Sequence, residues 1–252
     1  MDFVKILDHL IRRSKGYRLL LMIVTVFAFT LLYFIVDGSL FGIYDFYMIY
    51  FKDYIFITVI LPIYLAWMGG LWSYFQRITV LTRFTRINNL LKSVIKVYML
   101  VTFRFVMLIH IPLFTIGMAT LFFNNRGQGG IDFIIFILTG VTLQFLGFMI
   151  IALVYTCVVL RVNRRALATF VTFCLITSLN VIDMLFYGSS VPSIDKIMFM
   201  RYKDMNQVGI FTIADGFIYF IFFILLLVLI KLIKLVLNHA DFAGRVSNES
   251  DK

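Results

Sequence analysis

The chain has 252 residues, of which 62% are hydrophobic and 14% charged, and its mean hydropathy is +0.99. Soluble domains are about half apolar and roughly a quarter charged, so this composition excludes a soluble globular fold, and two cysteines, Cys157 and Cys174, exclude a disulfide scaffold. A multi-span membrane protein remains, in which the net charge of +10 raises the question of sidedness rather than of nucleic acid, for which no role is expected.

In chain order, residues 1–18 place Phe3, Ile6, Leu7, Leu10 and Ile11 on one helical face and Lys5, Asp8, His9 and Arg12 on the other. This pattern predicts an interfacial helix on the inner leaflet, its basic face towards anionic lipid. An apolar run at about 19–36 follows as the first span. It is longer than the core of a secretory signal and lacks a small-residue cleavage site before Asp37, so it reads as retained. The second span is expected at about 54–75, with Tyr44, Tyr47, Tyr50 and Tyr54 at its outer start and Trp67, Trp72 and Tyr74 near its inner end, as an aromatic belt. Pro62 and the pair Gly69-Gly70 are the expected points of bending or close helix approach.

Residues 76–96 are too long for a turn between antiparallel helices. Val80, Phe84, Ile87, Leu91, Val94 and Ile95 fall within one stripe, opposite Thr82, Thr85, Arg86, Asn89, Lys92, Ser93 and Lys96. The segment reads as a cytoplasmic amphipathic helix that either lies on lipid or docks a soluble partner. Four further spans are predicted at about 97–123, 131–160, 166–187 and 209–230, with an outer segment at 188–208 and a cytoplasmic tail at 231–252. Each run approaches the roughly 20 residues that cross the hydrocarbon layer, and none shows the alternation of a β-barrel strand. The fold class is therefore an all-α integral membrane protein: one domain, six spans.

The 23 basic residues orient it. With both termini in the cytoplasm, Lys5, Arg12, Arg13, Lys15, Arg18, Arg77, Arg83, Arg86, Lys92, Lys96, Arg161, Arg164, Arg165, Lys231, Lys234, Arg245 and Lys252 are inside. Lys52, Arg126, Lys196, Arg201 and Lys203 are outside, and Arg104 lies within the third span. That asymmetry fits the positive-inside rule.

No catalytic constellation emerges. Glu249 is the sole glutamate, His9, His110 and His239 are the only histidines, and no HExxH, CxxC or GxxxxGK[ST] motif occurs. The expectation is a chain that is not an enzyme by itself and holds no metal or cofactor. The polar groups within the spans are Arg104, about two turns into the third span, which suits snorkelling, and His110, two residues before Pro112, which suits a hydrogen bond to another helix. Gln144 suits a cavity or a neighbouring helix. Asn180 and Asp183 near the outer end of span five, and Asp215 near that of span six, suit a vestibule or the headgroups.

The succession of an interfacial helix, six spans, a basic amphipathic segment between spans two and three and a longer outer segment before span six resembles the membrane subunit of type-two ABC exporters. The resemblance implies two permease subunits, identical or related, and two separate ATPase subunits that bind ATP and Mg. It implies a coupling helix drawn from Arg77, Leu81, Phe84, Thr85, Arg86 and Ile87, and short re-entrant or external helices at about Val191–Gln207. Spans one and five would form the dimer interface. Spans two and five would line the substrate path, with Arg104, His110, Gln144, Asn180, Asp183 and Asp215 as its candidate polar residues. A Phe-rich, weakly charged interior suits a lipophilic or amphipathic cargo. The small size is similar to that of bacterial permeases exporting cytolytic or antimicrobial peptides, phenol-soluble modulins among them, which implies the bacterial cytoplasmic membrane. The competing readings are a stand-alone immunity or sensor protein that binds a toxic peptide, and the substrate-binding subunit of a vitamin importer.

Overall fold

The computed structural model describes residues 47, 50–52, 55–75, 87–123, 131–162, 164–185, 194–200, 202 and 211–239. A π-helical turn, Phe56–Ile60, runs directly into α1, Leu61–Phe75; then come α2, Ile87–Phe123, α3, Ile131–Val162, and α4, Arg165–Leu185. A one-turn helix α5, Ile194–Met198, precedes α6, Ile213–His239. Among the described residues there is no strand. Stretches long and apolar enough to cross a membrane lie at Phe56–Ser73, Asn89–Phe114, Ile135–Val162 and Ile213–Leu237, and α4 carries a shorter apolar stretch, Arg165–Ser178. The first predicted span and the interfacial helix lie outside the described residues.

A π turn and a close helix approach fall at two of the expected positions. Pro62 has no N–H for the preceding turn and its ring crowds the carbonyl four residues back. Widening the helix to a π turn just before it relieves that crowding. Gly69 is a point of close approach, since a Cβ there would stand 3.3 Å from Tyr155 Oη and 3.7 Å from Thr169 Oγ1. Gly70 faces open space, with nothing within 4 Å.

α3 is the hub, and every other described helix packs on it. Leu143, Phe148, Ile150, Ile151, Ala152, Leu153 and Tyr155 are all buried, so its near-continuous apolar run is a helix hydrophobic all round because it is surrounded. α6 is the opposite case. It is equally apolar yet leaves most of its surface uncovered, including Phe217, Phe220, Phe223 and Val228, as a helix at the lipid boundary does.

Two expectations need revision. The boundary at residue 97 does not exist: residues 87–96 are the first turns of α2, with Leu91 and Val94 buried and Asn89, Lys92 and Lys96 exposed. The amphipathic stripe is real there, but it packs on this protein's own core. Arg104 lies seventeen residues, about 25 Å, from the start of α2. Finally, Tyr47, Tyr50, Trp67 and Trp72 are buried and do not form a belt: Trp67 packs edge-on against Phe105 at 5.7 Å, and Tyr47 against Phe136 at 4.7 Å. Aromatic rings serve the interface or the core equally well, and only the helix packing chooses.

Tyrosine hydroxyls tie α1, α2 and α3 together. Tyr64 Oη donates to the Phe148 carbonyl at 2.9 Å, which makes the Thr102 hydroxyl, 2.8 Å away, the donor to Tyr64. Tyr98 and Thr156 are joined likewise at 2.9 Å. Hydrogen bonds between helices in membranes contribute about 0.6 kcal/mol each and at most about 1.7. Tyr64→Phe removes two such bonds and should cost about 1 kcal/mol, read as a lowered thermal midpoint in detergent. A midpoint equal to the parent's would show that these bonds contribute nothing.

Candidate functional site

The site is built around α5 and the residues that follow it. Asp195, Met198, Phe199 and Met200 are fully or nearly fully buried. Phe199 stacks on Phe51 with ring centroids 4.5 Å apart and packs edge-on against Phe56 at 5.4 Å. A Cβ on Gly147 of α3 would stand 2.2 Å from Met198 Cγ, and one on Gly140 would stand 3.0 Å from Met200 Cε and 3.2 Å from Tyr47 Oη. Gly147 is about sixteen residues, roughly 24 Å, from each end of α3. The segment therefore reaches the mid-depth of its longest-packed helix and returns, with Met198 deepest and Met200 two turns nearer the start of α3. The described part of this segment is therefore seated against α3 and buried.

Its backbone explains the return. Phe199 N–H closes onto the Asp195 carbonyl at 2.9 Å and Met200 N–H onto Ile197 at 3.1 Å, and Met200 takes φ 52°. That is the left-handed residue that ends many helices, normally glycine, and a methionine there costs about 1 kcal/mol. The surrounding packing holds it in place.

Asp215 fastens this segment to α6. Thr212 occupies the N-cap position: its N–H donates to Asp215 Oδ2 at 2.6 Å and its hydroxyl to the same oxygen at 2.9 Å, while Asp215 N–H points back at Thr212 Oγ1 at 3.4 Å. This reciprocal pattern is a capping box with aspartate in the third position, and the helix dipole favours the carboxylate there. The second oxygen, Oδ1, accepts the Tyr202 hydroxyl. Burial, and then the Asp215 carboxylate beside it, raise the Tyr202 phenol above the usual tyrosine range, so it remains a donor throughout the physiological range. Tyr219 of α6 donates to the Thr139 carbonyl of α3 at 3.1 Å, closing the cluster.

The sequence-predicted residues divide accordingly. Gln144 and Asp215 belong to this end of the bundle: Gln144 Nε2 donates to Tyr47 Oη at 3.1 Å, from a residue 97 positions earlier in the chain. His110 lies behind it, its ring 5.6 Å from that of Phe51. His110 does not bond another helix. Its Nδ1 is 2.8 Å from the Val106 carbonyl of its own helix, which requires a proton on Nδ1, and Nε2 is buried with no hydrogen bond. Arg104, half-buried, is six residues before His110 on α2, nearer the Tyr64–Thr102 pair. Asn180 and Asp183 lie on the last turns of α4 with side chains outside the described residues. Arg77, Leu81, Phe84, Thr85 and Arg86 are outside them altogether, and Ile87 is the first residue of α2, its side chain likewise undescribed.

Asp195, Met198, Met200, Tyr202 and Tyr219 were not singled out by sequence reasoning, and Tyr47 was expected only as part of an aromatic belt. One signal for them exists: Ile197-Met198-Phe199-Met200 is a run of four apolar residues inside a segment read as an outer loop, where exposed apolar runs are unusual. Among the described residues no group of three His, Cys, Asp or Glu side chains converges. Cys157 and Cys174 are free thiols.

Fold and site together define a helical membrane protein with a short buried helical segment packed on α3 and hydrogen-bonded to the start of α6. Compared with known protein families, curated proteins and solved structures, the chain shows no significant match to any.

Proposed function

We propose that this chain is the permease subunit of an ATP-driven exporter in a bacterial cytoplasmic membrane, with both termini in the cytoplasm. It would work as a pair with a second permease subunit and with two separate ATPases, moving an amphipathic peptide outward by alternating access. The observation that carries this reading is the short buried helix α5 between α4 and α6, the place where the resemblance to type-two ABC exporters implies short re-entrant or external helices. The concentration of basic residues at 77–96, on and before the stem of α2, supports it. The aromatic interior around Phe51, Phe56, Phe148 and Phe199 suits apolar cargo side chains.

Affinity purification of the full-length chain from its native membrane should bring down a soluble protein with a P-loop. Phe84→Asp removes the central apolar contact of the coupling segment and Arg86→Glu reverses its charge. Each should reduce that recovery at least tenfold while leaving the yield of the permease unchanged. Undiminished ATPase recovery with both variants would overturn the assignment of this segment, and the absence of any ATPase partner would overturn the permease reading.

A further inference from the structure

We propose that residues 194–200 are a displaceable plug, seated in a glycine-floored groove of α3 and held there by the hydrogen bond from Tyr202 to Asp215. Three independent features point to this. The groove is shaped for its occupant: Gly140 and Gly147 stand two turns apart on one face of α3, and each receives a methionine side chain from the segment. The occupant is suited to leaving: α5 is a single turn, too short to persist alone, methionine repacks readily, and Met200 sits in the left-handed region, so withdrawal relieves backbone strain. The fastening is separate from the seat: Tyr202 and Asp215 grip the segment where it leaves the bundle, at the capped start of α6, away from Met198 at the mid-depth of α3.

On the permease reading the plug obstructs passage along α3, and a rearrangement of α6 against α3 is what opens it. That role rests on the proposed function. The plug and latch rest on the geometry alone, so loss of the ATPase association would remove the first without touching the second.

The test places a reporter cysteine at the buried tip, Met198→Cys, in full-length protein carrying Cys157→Ala and Cys174→Ala and embedded in lipid nanodiscs, where both faces meet solvent. The rate of reaction with a charged, membrane-impermeant maleimide reports withdrawal. Tyr202→Phe cuts the latch and should raise that rate about tenfold or more, the equilibrium effect of losing one hydrogen bond to a charged group. Gly147→Ala narrows the groove floor and should raise it by a second route. Tyr98→Phe, which cuts the hydrogen bond to Thr156, nine residues beyond Gly147 on α3, should leave it unchanged. Equal rates in the parent and Tyr202→Phe would overturn the latch. A rise shared by Tyr98→Phe would show general loosening and overturn the plug.

Discussion

Gly147→Ala should destabilise the protein by about 2 kcal/mol, although glycine to alanine in a helix interior ordinarily gains close to 1 kcal/mol. The sign is decided by the contact: the new carbon would stand 2.2 Å from Met198 Cγ and 2.4 Å from its sulfur, so the methionine must move bodily rather than swing its tip aside. Overpacking of this kind costs about 1–3 kcal/mol, which outweighs the propensity gain. Gly70→Ala supplies the contrast, because nothing lies within 4 Å of that position and only the propensity term remains. It should be neutral to mildly stabilising. Thermal midpoints in detergent would measure both, and a combined Gly147→Ala/Met198→Ala variant should lose less than the two single variants together, since contacting residues couple. Strict additivity would show that Met198 does not occupy the groove.

The second large effect is at Asp215. Asp215→Ala removes the capping box of α6, worth about 1 kcal/mol, and leaves the Thr212 N–H and the Tyr202 hydroxyl without their acceptor, for about 1–3 kcal/mol more. The expected loss is roughly 3 kcal/mol, a fall in the thermal midpoint on the order of 5–10 °C for a chain of this size. Asp215→Asn keeps an acceptor oxygen and should lose less than half as much. If the alanine variant melted within a degree of the parent, the carboxylate would have no part in holding α6 to the α5 segment.

The role of Asp215 shows how a site can be half legible. An aspartate three residues after a threonine at the start of an apolar run is a capping signal, readable as Thr212-Ile213-Ala214-Asp215 from the sequence alone. What cannot be read is the third partner, because Tyr202 reaches it through chain geometry that no local pattern encodes. His110 is similar: its burial in a span was plain, but whether its proton went to a neighbouring helix or to its own turn depended on what α2 packs against. The start of α2 was misplaced because hydropathy locates apolar runs and not helix starts, and residues 87–96 mix buried apolar with exposed polar side chains as an amphipathic stem does.

The excess of apolar residues that ruled out a soluble protein also determined the class, the helical fold, and the ends of α3, α4 and α6 to within a few residues, or at most nine at the end of α6. Those properties follow from the composition of contiguous segments, since a backbone in lipid must satisfy its own hydrogen bonds and does so locally. Which apolar residues face lipid and which face protein was decided only by the tertiary structure. α3 and α6 are nearly alike in composition, yet one is the buried hub and the other the exposed margin. The segment before α6 looked like an outer loop for the same reason: four apolar residues cannot announce that a glycine groove is waiting for them at the middle of another helix.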